Sequence, residues 1–437
     1  MGTSPTASKN GTLVRSVGLW GLTAMVLNGL IGAGIFGLPA SVADNAGSWA
    51  PLIVLLVGAA MLPIVLVVMR LAGMFDGTGG PILYVESAFG KTAAFQIGWM
   101  QLLSTTASAA ANVNLLADYA VRGWGPAGER PVIHASIVLL ALLAIFAVNL
   151  NRTSGIARTL GLLSIMKLLP LALVVVLAVP MLVSDGGASH PAAHWSLTQA
   201  ALLSAYAFTG FEGSLTLAGE ARDPRRDLPR ALLAVFVGVA FLYALLTWGY
   251  VATAYVPGAA DKAPLSAMAA VLMGAAGAAM MLATATVSIF ANVTNNMLFL
   301  SRRLLAMEAL GGLPAWLGRV NAGDAVPRNA VIFIMLVLVV LSLSGGFAVL
   351  AILSVSSRLI VYLGCIAALP VVEQRAGKAA SIGGVAVIAA AAITCVLLIM
   401  GSDPQSWLSL LIGAAAGAAM FIANRAYRAK TAARMQP

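Results

Sequence analysis

Long apolar runs separated by short polar stretches make up nearly the whole chain. Roughly 20 predominantly apolar residues, at a rise of about 1.5 Å each, cross the hydrocarbon core of a bilayer as a helix. Runs of that length recur over roughly 14–42, 49–74, 92–120, 132–149, 159–183, 196–219, 230–255, 264–300, 329–345, 347–370, 381–400 and 404–424. The pattern predicts an all-α integral membrane protein with about 12 transmembrane helices, flanked by tails at 1–13 and 425–437.

Composition agrees with this reading. Sixty per cent of the 437 residues are hydrophobic and 9% are charged, where a soluble domain is about a quarter charged. The net charge of +10 would fit a nucleic-acid partner if it formed one patch, but it follows the topology instead. With the N-terminus inside, about 20 of the 25 Lys and Arg fall on inner loops and tails, among them Arg152, Arg158, Arg222, Arg225, Arg226, Arg302, Arg303, Arg319, Arg375 and Lys378. Arg122, Arg130 and Lys262 face outward. This positive-inside asymmetry predicts cytoplasmic termini in the inner membrane and no nucleic-acid role. Met1 to Gly11 lacks a basic region feeding a short apolar one, so no removable signal peptide is expected. Cys365 and Cys395 read as small packing residues rather than a disulfide, and His134, His190 and His194 form no metal-ligand spacing. No metal or cofactor is expected.

Two spans carry glycine at mid-membrane: the first in Leu30-Ile31-Gly32-Ala33-Gly34-Ile35-Phe36-Gly37, the sixth in Phe208-Thr209-Gly210-Phe211-Glu212-Gly213. Such glycines can serve close helix contact or local unwinding where a cavity satisfies the freed backbone groups. Their positions favour unwinding. Spans 1 and 6 open two five-helix halves that start on opposite sides of the membrane, and paired breaks in an inverted repeat point to a central binding site. The halves would be residues 14–183 and 196–370, together a ten-helix transport core over 14–370, with helices 11 and 12 appended over 371–424.

Three ordered stretches resemble the amino acid-polyamine-organocation superfamily of permeases, which has a LeuT-like fold. They are Gly32-Ala33-Gly34-Ile35-Phe36 with Pro39; Phe208 to Glu212 running into Gly219-Glu220-Ala221-Arg222-Asp223-Pro224; and Ser301-Arg302-Arg303-Leu304 with Gly312-Leu313-Pro314 and Val326-Pro327-Arg328. A weaker match is Asp76-Gly77-Thr78-Gly79-Gly80-Pro81, which lacks the family's proline ahead of the glycine pair. The resemblance implies a secondary transporter of amino acids or related amines, working by alternating access.

A zwitterion brought to mid-membrane must exchange water for fixed polar partners. Amides near Gly32, Ala33 and Gly34 would face its carboxylate, at the positive end of a half-helix. Carbonyls near Asn28 to Ile31 and Ala207 to Thr209 would receive its ammonium group. Gly210 supplies the second break, and Phe208 and Phe211 serve either as aromatic gates or as packing. Lys167, several residues inside span 5, is either a snorkelling anchor or a charge set against the first break. The resemblance implies the second role, with the lysine in place of a sodium ion and, in some members, carrying the coupled proton.

Glu212, the mid-membrane acid, has three open roles: proton acceptor, contact for a cationic substrate, or brace for the unwound segment. Arg358 reads as half of a structural pair. Thr284, Thr286, Ser288, Asn292, Thr294, Asn295 and Asn296 in span 8, and Ser104, Thr105, Thr106, Ser108, Asn112 and Asn114 in span 3, line the pathway or brace helix contacts.

The largely apolar lining favours a neutral amino acid, while Glu212 keeps arginine, lysine or a polyamine open. A proton is the expected coupling partner or, for exchange, a second substrate. Lipid surrounds the bundle, and helices 11 and 12 offer faces to lipid or to a second copy. A non-transporting sensor that kept the site is the alternative function. An enzyme is not expected, because no nucleophile-base pair or paired acids appear.

Overall fold

The computed structural model describes residues 19–32, 34–75, 80–122, 131–150, 167–184, 190–215, 224–259, 261–319, 328–379 and 381–434. Ala33, the loop residues Gly219 to Asp223, the Asp76 to Gly79 motif, and Val326 and Pro327 lie outside them.

Every regular element among the described residues is helical. In chain order they are α1 (Leu19–Leu30), α2 (Gly34–Ala46), α3 (Ala50–Ala72), α4 (Pro81–Phe89), α5 (Lys91–Arg122), α6 (Pro131–Leu150), α7 (Leu168–Ser184), α8 (Leu197–Ala207), α9 (Phe211–Leu215), α10 (Pro224–Thr253), α11 (Pro264–Ala309), α12 (Arg328–Ser344), α13 (Phe347–Arg375), α14 (Ile382–Met400) and α15 (Pro404–Arg434). Helices are the expected solution, because a chain in hydrocarbon must satisfy its backbone groups internally.

Among the described residues, 7 segments are by length and composition long and apolar enough to cross a membrane: Gly34–Ala72, Pro131–Leu150, Pro229–Thr253, Pro264–Ala309, Phe347–Arg375, Ile382–Met400 and Ser406–Thr431. The first and sixth apolar runs are each split into two helices. α5 falls outside the 7 because its inward face is rich in Ser, Thr and Asn.

α5 and α13 form the centre and pack along each other. Ser104 Oγ donates to the Ser354 carbonyl and Ser354 Oγ to the Ser104 carbonyl, both at 2.8 Å. Only small side chains allow two helices to come close enough for that reciprocal pair. α2 packs on α8 and α10, α1 on α10 and α9, α14 on α3 and α13, and α15 on α5 and α13. Outward-facing Leu140, Val176, Leu336, Val340, Leu397 and Leu411 are all exposed, as expected of a surface solvated by lipid. Cys365 and Cys395 are buried free thiols.

Three features depart from the sequence expectation. α4 is an extra short helix; Gly80, at φ 55, and Pro81 start it, a combination that suits a helix N-terminus. α11 has 46 residues, about 69 Å if straight, which is far more than a bilayer needs. It bends at Gly274, where φ is 65, so a short segment precedes the span. Arg302 and Arg303, expected in an inner loop, lie inside α11. The Arg303 guanidinium turns inward to the Gln101 carbonyl at 2.9 Å and Thr105 Oγ1 at 2.8 Å.

Candidate substrate site at two interrupted helices

The first interruption follows Leu30. Ile31 N–H still donates to Leu27 O at 2.8 Å, but Gly32 N–H turns back to Leu30 O at 2.9 Å, and helical geometry resumes at Gly34. The first turn of α2 therefore begins with amides that have no partner within the helix. Gly32, expected to offer its own amide, has spent it on Leu30. Two carbonyls at the end of α1 are also engaged: Leu30 O accepts from the Tyr243 hydroxyl at 2.9 Å, and Ile31 O accepts from Lys167 Nζ. Lys167 is buried. Its ammonium ends at the break and not at the inner surface that a snorkelling lysine would seek.

The second interruption follows Ala207. Phe208 N–H donates to Ala205 O at 3.1 Å and Thr209 N–H to Tyr206 O at 3.2 Å, and Thr209 Oγ1 adds a bond to Tyr206 O at 2.7 Å. Gly210 then adopts φ 103. A Cβ there would lie 2.5 Å from the Gly29 carbonyl oxygen, and a Cβ on Gly34 would lie 3.3 Å from Ala207 Cα. The two breaks thus touch, and glycine permits the contact. Gly210→Ala combines a left-handed backbone with a direct overlap, so it is expected to destabilise the protein by more than about 1 kcal/mol. A thermal melt of the detergent-solubilised variant equal to wild type would contradict that packing.

A polar wall faces the breaks. Ser108 Oγ and the Tyr206 hydroxyl lie 3.1 Å apart. Tyr206 donates to Asn112 Oδ1 at 2.7 Å, Asn112 Nδ2 to Asn292 Oδ1 at 3.0 Å, and Asn296 Nδ2 to the same oxygen at 3.0 Å. A Cβ on Gly32 would meet Asn292 Nδ2 at 3.1 Å, so Asn292 stands directly against the first break. The sequence reading left Asn112 and Asn292 among many polar residues and missed Tyr206. Spacing by four, in Ser108 with Asn112 and Asn292 with Asn296, puts each pair on one helix face, and that was the available signal. Thr284, Thr286 and Thr294 bond back to carbonyls of their own helix.

Glu212 lies at the start of α9, buried. Its Oε1 is 3.1 Å from Arg358 Nη1, and its Oε2 accepts from Gly210 N–H at 3.1 Å and from the Tyr362 hydroxyl at 3.0 Å. Arg358 Nε continues to Ser104 Oγ at 2.9 Å, tying the second break to the α5–α13 seam. Phe208 packs on Phe236 and Tyr243, and Phe211 stacks on Tyr362 with ring centroids 5.6 Å apart. In this state both phenylalanines are fully buried. The side chain of Asn28, expected at the first break, lies outside the described part of the structure. Among the described residues, no group of three His, Cys, Asp or Glu is placed to hold a metal ion.

An all-helical bundle with a lipid-facing surface and two broken helices meeting at its centre defines a polytopic membrane protein built around a buried polar site. The profile of the amino acid permease family matches residues 17–424, and the chain belongs to that family of transporters. An uncharacterized transporter of Mycobacterium tuberculosis is 32% identical over 336 residues, covering 73% of this chain and 71% of the relative. A polyamine transporter of Oryza sativa subsp. japonica is 32% identical over 232 residues, covering 48% of this chain and 41% of the relative. The large neutral amino acids transporter small subunit 2 of Homo sapiens is 26% identical over 351 residues, covering 76% and 65%.

Proposed function

We propose that this permease is a secondary active transporter of amino acids that works by alternating access, with the substrate held between the two breaks. The ten-helix core over 14–370 would form a LeuT-like 5+5 inverted repeat within about 12 spans, and both termini would lie on the cytoplasmic side of the inner membrane. The substrate carboxylate would meet the first amides of α2 from Gly34, and its ammonium group the carbonyls of Ala207 and Phe208 at the end of α8. Asn292 would stand beside them. A neutral amino acid is the favoured substrate, in keeping with the human relative's name. The rice relative's name supports the alternative of a polyamine, or of arginine or lysine.

The observation that carries the reading is the contact of buried Lys167 with the Ile31 carbonyl. It puts a positive charge at the negative end of α1, the role a bound cation would otherwise fill. Coupling would then run through Lys167 or Glu212 by proton symport, or through exchange of one substrate for another, without sodium. A sensor that binds without transporting remains the second reading, since the same site would serve it.

Uptake of a labelled neutral amino acid into proteoliposomes is expected to proceed in sodium-free buffer. Symport predicts accumulation when the lumen is alkaline; exchange predicts uptake after preloading with unlabelled substrate. Uptake that stops without sodium and returns when it is added would remove the coupling assignment. Binding with no uptake under either regime would favour the sensor.

A further inference from the structure

Glu212 could attract a cationic substrate only if its carboxylate had capacity to spare. Its Oε1 faces Arg358 Nη1 at 3.1 Å, and its Oε2 already takes the Gly210 amide and the Tyr362 hydroxyl. Both oxygens are engaged, and both charges are buried, at 4% relative exposure each. Arg358 also reaches the break itself: its Nη1 lies 4.0 Å from where a Gly210 Cβ would sit. Nε donates to Ser104 Oγ at 2.9 Å, so a second contact, on α5, holds the guanidinium in place beside the break. Arg303 turns inward on Gln101 and on Thr105, the chain neighbour of the Ser104 that holds Arg358. Lys167 brings another positive charge to the first break, on the Ile31 carbonyl.

The cations around the two breaks therefore outnumber the acid among the described residues. In a low-dielectric interior such an excess repels a second positive charge strongly. A zwitterion, with no net charge, is spared that repulsion.

We propose that Arg358 is a charge-selectivity residue: by occupying Glu212 and placing its own charge against the second break, it excludes diamines and cationic amino acids from the substrate site. This rests on the reading of the paired breaks as that site. Specificity is here set by a repulsive element, which acts on the wrong substrate rather than improving contacts to the right one. Removing the guanidinium would leave Glu212 as a buried, unpaired carboxylate, which a substrate's second ammonium group could then neutralise.

The test uses full-length protein in proteoliposomes, with inhibition of labelled alanine or leucine uptake by putrescine, arginine and unlabelled alanine. In the wild type, alanine competes and putrescine and arginine do not. In Arg358→Gln, the ratio of cation to alanine inhibition is expected to rise at least tenfold, and putrescine should raise the melting temperature of the purified variant but not of wild type. In Arg358→Gln/Glu212→Gln, which removes one charge of each sign and leaves the excess of cations unchanged, the melting shift with putrescine should vanish and discrimination should return to near that of wild type. The wild-type competition keeps the test alive if Arg358→Gln does not insert. Wild-type protein that admits putrescine or arginine as readily as alanine would overturn the proposal. So would wild-type discrimination retained in Arg358→Gln. If none of the probes binds or is taken up by wild type, the transport reading itself fails, and this inference falls with it.

Discussion

Lys167→Ala is expected to lower amino-acid uptake by about tenfold or more while leaving insertion in the membrane intact. The ammonium group is buried and donates to the Ile31 carbonyl, where α1 stops and its carbonyls have no further helical partner. Removing it withdraws this donor from a dry helix end, at a cost of about 1–3 kcal/mol, and the geometry of the break should loosen. Lys167→Arg keeps the charge but replaces a compact ammonium with a broad planar fork. It should lose less than alanine, and still more than a surface anchor would. Initial rates of uptake in proteoliposomes at matched protein density decide the matter. Near-wild-type rates and pH dependence in Lys167→Ala would transfer the coupling role to Glu212.

Gly34→Leu is expected to abolish binding of a neutral amino acid. A Cβ at Gly34 already meets Ala207 Cα and Leu38 Cδ1, each at 3.3 Å, so a leucine must push the start of α2 away from the end of α8. The amides proposed for the carboxylate and the carbonyls proposed for the ammonium group would move apart, and a side chain would block backbone approach as well. Gly238→Leu in α10 is the matched control, because a Cβ there meets nothing within 4 Å. Equilibrium binding to purified, monodisperse protein should vanish in Gly34→Leu and persist in Gly238→Leu. Undiminished affinity in a folded Gly34→Leu protein would place the substrate elsewhere.

Much of this was legible in the chain because bilayer physics is simple. Apolar run length marked the helices, and glycine clusters marked both interruptions at Gly32 to Gly34 and at Gly210. Lys167, Glu212 and Arg358 stood out because ionisable residues within apolar runs need partners. Their pairing was less accessible: Arg358 was expected to be half of a pair, but nothing local names a partner 146 residues away. The Ser108–Tyr206–Asn112–Asn292 chain joins three helices by tertiary packing, which periodicity cannot report. Phe208 and Phe211 were undecided between gate and packing for the same reason, since what a ring touches depends on the neighbouring helix. Arg302 and Arg303 were misplaced because α11 runs on past the hydrophobic span, and a hydropathy window ends where the helix does not.

The most direct test of a substrate site at the breaks is a structure of the purified protein determined with a saturating neutral amino acid. The expected result is a ligand whose carboxylate lies within hydrogen-bonding distance of the first amides of α2 from Gly34, with its ammonium group at the Ala207 and Phe208 carbonyls and Asn292 alongside. A ligand bound away from both breaks, with Lys167 still on the Ile31 carbonyl and the Gly29–Gly210 contact undisturbed, would contradict it.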